Sequence, residues 1–314
     1  MPFADTTVLD VAVSRLANFA HGHVVVATSD LSSDDGFEAM ARSHDAAIVR
    51  GPSDDLLARF VEVIADYPAE HLVRVVGDSP FIDHTLVEQI VDAHLEANAD
   101  YTSNTLLRTH PSGLDVEVIR SDALLDAAEQ ATDAAERDGV TTFVQRRPTE
   151  YNLHAILAAG DYEDHNWQIT DKASVTRLTE LLNRAGGDLT KPWEALLPHD
   201  KPEQHSAPIR LRVARENVLS ALPAMTETVG FPPDPFPLRE ASRRSWGVWA
   251  GEDLVGAVSV AVQNGWGTLA GHFNPGLAET TADQTIHAVD ERLLRDQQVI
   301  ALTIDGSMIR NYRD

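Results

Sequence analysis

The sequence predicts an α/β protein: a Rossmann-like, doubly wound, mostly parallel sheet, followed by a second, smaller α+β unit. Three observations carry this. Short apolar runs alternate with amphipathic stretches through the first half, at intervals of about ten to fifteen residues, as βαβ units do. The stretch Leu197 to Pro208 holds three prolines among polar residues and reads as a linker. Beyond it, the apolar runs Trp246 to Ala250 and Leu254 to Val262 meet at Gly251-Glu252-Asp253, as antiparallel partners would.

Taken in order, Val8, Leu9, Val11, Ala12, Leu16 and Ala17 recur at helical spacing behind a cap at Thr6 or Thr7. Val24 to Ala27 is a buried strand ending in Thr28-Ser29-Asp30. A helix through Phe37, Met40 and Ala41 leads to the strand Ala46 to Val49. Arg50-Gly51-Pro52-Ser53 turns into a helix that carries Asp54 and Asp55 at its start, where the helix dipole favours acids. Leu72 to Val76 is the next strand, Leu86 to Leu95 an amphipathic helix, and Asp100 to Asn104 a short strand entering a polar loop. Leu114 to Ile119 alternates apolar and acidic residues, as in a half-buried strand with Asp115 and Glu117 facing water. Helical material to Arg147, a strand at Leu153 to Leu157 and a helix capped near Thr170 or Asp171 complete this part. The second unit reads as the strand Ile209 to Arg212, a helix at Val218 to Thr226, the two paired strands, strands near Gly267 to Phe273 and Val299 to Ile304, and a helix from about Asp283.

The 314 residues suggest two domains, and 43% hydrophobic content suffices for their cores. With no cysteine there can be neither disulfides nor thiolate metal sites. The net charge of −24, with Lys172, Lys191 and Lys201 as the lysines, excludes nucleic acid and anionic lipid as partners. It is read as solubility, or as the mark of an acidic, high-salt proteome, and not as evidence for a substrate. No run approaches membrane-spanning length and no secretory leader opens the chain, so the expectation is a cytoplasmic protein.

The chemistry centres on Leu72-Val73-Arg74-Val75-Val76-Gly77-Asp78-Ser79-Pro80-Phe81-Ile82-Asp83. A strand that ends at Gly77 places Asp78 beyond its carboxyl end, where open α/β sheets hold ligands. A carboxylate there can hold a hard divalent ion and, through it, a phosphate. Asp78 starting a turn and Asp83 capping a helix fit the same spacing. His21 and His23 lack a third nearby ligand and fit a solvated turn, His199 and His205 fall in the linker, and Trp246, Trp249 and Trp266 fit a core.

These blocks, from about Val8 to Leu182, resemble the spore-coat-polysaccharide type of cytidylyltransferase, nucleotide-sugar synthetases related to CMP-Kdo and CMP-sialic acid synthetases. The likeness rests on Val26-Ala27-Thr28-Ser29-Asp30, Arg50-Gly51 with Asp54 to Phe60, Gly77 to Asp83, Tyr101 to Thr105 and Gly113 to Val118. It implies the nucleotide-diphospho-sugar transferase fold. It also implies attack of a sugar hydroxyl on the α-phosphorus of CTP, expulsion of pyrophosphate, Mg²⁺ as cofactor and pairing into a homodimer. Asp78 is then a catalytic metal ligand, with Asp171 as a tentative second. Arg50, Gly51, Asp55 and Arg59 fall on the nucleotide side, and Ser103, Asn104, Asp115 and Glu117 on the sugar side.

Three departures accompany the resemblance. The family opens on a central strand and a Gly/Arg/Lys-bearing phosphate loop; here Met1 falls where that loop would end, so either the sequence starts downstream of the true N-terminus or the domain has lost the chemistry. The family's second metal aspartate aligns with Thr170, one position before Asp171. A family Glu-His-Val-Thr run reads Asp138-Gly139-Val140-Thr141.

The expected domains are 1–197, a linker at 198–208, and 209–314. The last resembles a GNAT-type N-acetyltransferase in Leu254 to Val260, Gly271 to Pro275 and Ser307 to Tyr312. Tyr312 matches that family's general acid and equally fits packing at the chain end. Its phosphate loop falls on Gly276-Leu277-Ala278-Glu279-Thr280-Thr281-Ala282-Asp283, with side chains and two acids where the family has glycines, so acetyl-CoA is an unlikely ligand. Three functions follow in order of preference: a nucleotidyltransferase-like protein of CMP-sugar metabolism for surface glycans, a non-catalytic scaffold or regulatory relative, and an amino-sugar N-acetyltransferase.

Overall fold

The computed structural model describes residues 1–106, 108–147, 150–201 and, further on, the strands of 209–213, 243–250, 253–263, 266–273, 301–304 and 307–311. The chain divides into two compact units, one of Met1–Val144 with His154–Gln204, the other of Gln145–Leu153 with His205–Asp314. Among the described residues no helix is long and apolar enough to cross a membrane.

In the first unit, β1 (Pro2–Phe3) and β2 (Thr6–Thr7) form a small hairpin ahead of α1 (Val8–Leu16). Thr7 caps α1 in a capping box with Asp10, which removes unpaired amides from its first turn. β3 (Val25–Ser29), α2 (Gly36–Ser43) and β4 (Ala47–Gly51) make a right-sized βαβ unit, and β3 and β4 pair in parallel from Val25 opposite Ala47 to Ser29 opposite Gly51. α3 (Leu56–Asp66) follows, with Asp55 as its cap through Ala58 N–H at 2.9 Å. The acids at 54 and 55 thus precede the helix instead of filling its first turn.

β5 (His71–Val75), α4 (His84–Ala97) and β6 (Tyr101–Ser103) form the next βαβ unit, and β7 (Val116–Arg120) returns from β6 by a loop without a helix. A return by loop reverses the strand. β7 therefore lies antiparallel between β5 and β6, Val73 facing Val118 and Thr102 also facing Val118. α5 (Ser121–Gln130), α6 (Ala134–Asp138) and α7 (Thr142–Gln145) precede β8 (Leu153–Ala155), which flanks β6, and α8 (Lys172–Arg184) comes after it. The expectation of a mostly parallel sheet is corrected here: β3–β4 is a separate parallel pair, and the sheet β5-β7-β6-β8 is mixed because β7 inserts against the run of its neighbours.

The core joins β7, α1, α4 and α8 through Val116, Val118, Val11, Leu86, Ile90, Leu178 and Leu181, with Trp167 and Trp193 closing one end. Four successive residues of β7, Val116 to Ile119, are buried, so the strand is covered on both faces. The half-buried strand expected there, with Glu117 in water, is overturned. The supposed linker begins in a 3₁₀ turn, Trp193–His199, and Asp200 next to it is hydrogen-bonded to His165 and Trp167.

The second unit contains β9 (Ile209–Val213), β10 (Arg243–Ala250), β11 (Asp253–Gln263), β12 (Trp266–Phe273), β13 (Ala301–Ile304) and β14 (Ser307–Asn311) in one six-stranded sheet. β10 and β11 form the expected antiparallel pair, and β12 and β13 run in parallel. The helices expected at 218–226 and from 283, the stretch 276–283 and Tyr312 lie outside the described residues.

Candidate active site

Asp78 follows β5 by three residues and is partly exposed between an exposed Gly77 and a buried Ser79. Its carboxylate is held on one side by Gln168, whose Nε2 donates to Oδ2 at 2.8 Å. The other oxygen receives one long bond, from Ser79 Oγ at 3.3 Å. The backbone is fixed too: Ile169 N–H donates to the Asp78 carbonyl at 3.1 Å. Gly77 is tight, since a Cβ there would sit 3.0 Å from Leu9 Cδ1. Asp78 thus projects from fixed backbone with one oxygen firmly bonded and one nearly open.

Asp83, five residues on, is buried and serves the fold. It caps α4 through Thr85 N–H at 2.9 Å, accepts Trp193 N–H at 3.0 Å and lies 3.5 Å from Arg15 Nη2. Burial lowers the Arg15 pKa while the Asp83 and Asp188 charges oppose this. A cavity of about 490 Å³ opens beside these groups, lined by Asp10, Ser14, Arg15, His44 and Thr190 among others. Asp78 does not line it. Its strongest polar groups already serve one another, Asp10 with His44 at 3.3 Å and Arg15 with Asp83, so the carboxyl end of β5 remains the better candidate for chemistry.

The nucleotide-side candidates gather around β4. Arg50 donates through Nε to Ser29 O at 3.0 Å, through Nη2 to Leu31 O at 2.7 Å, and through Nη1 to Asp35 at 2.7 Å and Glu38 at 3.4 Å. It shapes the loop after β3, and its bond to Asp35 raises its pKa. At Gly51 a Cβ would lie 2.7 Å from Glu62 Oε2 and 3.1 Å from Arg59 Cα, which explains the glycine. Asp55 caps α3 and pairs with Arg137 at 2.6 Å. Arg59 donates twice to the Pro52 carbonyl, at 3.1 and 2.6 Å.

On the sugar side, Ser103 and Asn104 are buried in strand-end roles. Ser103 Oγ donates to Val116 O, and Asn104 bridges Leu114 O and Val116 N–H at 2.7 and 2.9 Å. Asp115 is half-buried in a two-pronged pair with Arg108, at 2.6 and 2.8 Å. Glu117 pairs with Arg74 and accepts from Tyr101 Oη at 2.7 Å and Thr141 Oγ1 at 2.6 Å. The Glu117 charge raises the Arg74 pKa; burial first, then that charge, pushes the Tyr101 hydroxyl well above its usual range.

Asp171 is exposed and caps α8, and the Ser174 N–H it accepts lowers its pKa. It lies three residues beyond Gln168 on the segment that touches Asp78. Among the described residues no group of three or more His, Asp or Glu side chains is arranged to hold a metal ion. A single open carboxylate oxygen nevertheless fits Mg²⁺, which keeps several waters and commonly takes one or two carboxylates together with substrate phosphates.

A family profile described as cytidylyltransferase matches residues 1–183, more than half of the chain. The chain belongs to the cytidylyltransferase family. Among curated proteins it is similar to the spore coat polysaccharide biosynthesis protein SpsF of Bacillus subtilis, 28% identical over 193 residues that cover 59% of this chain and 79% of that one. It is also 28% identical over 156 residues to the uncharacterized protein MJ1063 of Methanocaldococcus jannaschii, covering 49% of this chain and 62% of that protein. A solved cytidylyltransferase from Leptospira borgpetersenii shares the fold at 23% identity and a TM-score of 0.60, covering 63% of this chain and 84% of its own.

Sequence reasoning singled out Asp78 as a candidate and did not name Gln168, which the fold brings to it. The two are 90 positions apart, and no local spacing signals a contact across that distance.

Proposed function

We propose that this cytidylyltransferase transfers the cytidylyl group of CTP to a sugar, in sugar-nucleotide metabolism for glycan synthesis. In that reaction a sugar hydroxyl oxygen bonds to the α-phosphorus, the bond to the bridging oxygen breaks, pyrophosphate leaves and the hydroxyl proton passes to water. The single observation behind this is the Asp78 carboxylate beyond the end of β5, with one oxygen held by Gln168 and the other nearly open. Asp78 Oδ1 would hold Mg²⁺, which when bound neutralises phosphate charge as pyrophosphate departs. Arg50, Gly51, Asp55 and Arg59 are proposed to form the nucleotide side through the loops they shape. Asp115, the half-buried member of its group, leads the sugar side, while Ser103, Asn104 and Glu117 set the backbone beneath it. Asp171 is proposed as an outer partner of the metal at most, since its carboxylate caps α8.

The test is release of pyrophosphate from CTP and Mg²⁺ across a panel of sugars. Asp78→Asn is expected to lower the rate at least about 100-fold, the scale on which loss of an electrostatic contact to the reacting phosphate acts. A variant as active as the parent would remove Asp78 from the site.

A second reading, a non-catalytic partner of a sugar-nucleotide enzyme, is favoured by one observation. Both candidate arginines donate to groups of the protein itself. It predicts stabilisation by CTP without pyrophosphate release from any sugar. The acetyltransferase-like reading of the second unit is a separate proposal, as is the division at 198–208. Calorimetry with acetyl-CoA is expected to show weak or no binding, and limited proteolysis is expected to cut within the proposed linker, 198–208.

A further inference from the structure

We infer that Gln168 is a positioning residue for Asp78, and that the segment 165–169 is built to hold it there. This rests on the reading of Asp78 as the metal-holding carboxylate. Gln168 lies between two buried neighbours, Trp167 and Ile169. Its own side chain reaches Asp78, Nε2 donating to Oδ2 at 2.8 Å. The backbone on each side of it is pinned. Trp167 N–H donates to Ser112 O at 2.7 Å, and Ile169 N–H donates to Asp78 O at 3.1 Å. Ser112 N–H donates in return to His165 O at 2.9 Å, and Arg177 donates to Asn166 O.

Gly113 makes this approach possible. Its φ is +90°, and a Cβ there would lie 2.6 Å from the Trp167 carbonyl carbon and 2.7 Å from Gln168 N. Only glycine lets the 112–113 turn come so close to the segment that carries Gln168. The amide donates to Oδ2 of Asp78 at 2.8 Å and so restrains the rotation of the carboxylate, while Oδ1 keeps only the 3.3 Å bond from Ser79 Oγ. Partners that orient a metal ligand in this way typically account for a factor of about 10 to 100 in metal affinity.

The experiment measures Mn²⁺ affinity by electron paramagnetic resonance, with CTP present, for the 314-residue chain and for Asp78→Asn, Gln168→Leu and Gln168→Met. CTP affinity without metal and thermal midpoint are measured in parallel. Asp78→Asn is expected to abolish the site. Gln168→Leu is expected to weaken Mn²⁺ by about 10- to 100-fold with metal-free CTP affinity unchanged, a split that a merely structural role would not produce. Gln168→Met keeps the length of the side chain and is expected to do the same if the leucine variant folds poorly. If Asp78→Asn abolishes Mn²⁺ binding while both Gln168 variants keep it, the positioning role is refuted and the reading of Asp78 stands. If Asp78→Asn binds Mn²⁺ as the parent does, that reading falls and the role of Gln168 falls with it.

Discussion

His94 is fully buried on α4, with Nδ1 2.8 Å from Thr102 Oγ1 and Nε2 3.0 Å from His71 Nδ1. Burial, and after it the neighbouring His71, lowers its pKa from 6.5 to about 4, with Asp100 pulling the other way and His154 and Arg120 adding to the fall. The folded protein therefore refuses a proton that the unfolded chain accepts below pH 6.5. Where the unfolded state binds more protons, stability rises with pH. The contribution of His94 is thus complete above 6.5 and lost progressively as pH falls towards about 4. At about 1.4 kcal/mol per pH unit the loss is on the order of 3 kcal/mol. Replacing His94 by Gln keeps an amide opposite Thr102 and removes the titration. At pH 7.5 the variant is expected to be about 1 kcal/mol less stable than the parent, from weakened hydrogen bonding. The gap is expected to close and then invert by pH 4. Urea midpoints at half-unit steps give both curves, and their difference reports the titration of His94 together with its coupling to His71. Parallel curves between pH 7 and 4 would refute the argument.

Gly113→Ala forces a non-glycine residue to φ +90° and a Cβ to within 2.6 Å of the Trp167 carbonyl carbon. The cost is expected to be about 2 kcal/mol or more, read as a lower thermal midpoint. Glu117→Gln leaves Arg74, a fifth exposed, without its counter-charge, and is expected to cost about 3 kcal/mol by urea denaturation. Asp200 is a depressed carboxylate: burial, the largest single influence, raises its pKa, but the bonds from His165 and Trp167 together with the His165 and Arg177 charges outweigh it. Asp200→Asn is expected to cost about 2 kcal/mol at pH 7. The deficit should shrink as the pH falls below about 4, because the stabilisation requires the ionised form.

What could be read from the residues was whatever is decided within one or two helical turns. Thr7 and Asp171 cap α1 and α8 as expected, because a cap is a contact between a side chain and an amide two or three residues ahead. Asp83 caps α4 by the same logic, whereas its bond to Trp193 is invisible in spacing. β3, β4 and β5 lie within a residue or two of the apolar runs that announced them. The reversal of β7 was not legible, since alternation fixes the faces of a strand but not its direction or its neighbours. Glu117 shows the cost of that gap. An acid between valines reads as a water-facing position until Arg74, brought alongside by the antiparallel register with β5, supplies the charge that lets it be buried. Gln168 and Gly113 belong to the same class, each explained only by a partner far along the chain.

The arginines of the nucleotide side differ in how readily they could turn to a phosphate. Arg50 donates to two carbonyls and two carboxylates, and hydrogen bonds to charged groups are each worth about 1.5 to 3 kcal/mol. Redirecting it would also release the loop between β3 and α2. Arg59 has one acceptor, the Pro52 carbonyl, which water can satisfy when the guanidinium leaves. A triphosphate with about four negative charges competes easily with one carbonyl and poorly with Asp35 and Glu38 together. Of the two proposed nucleotide-side arginines, Arg59 is therefore the one we propose for a phosphate, whereas Arg50 stays bonded to the loop after β3.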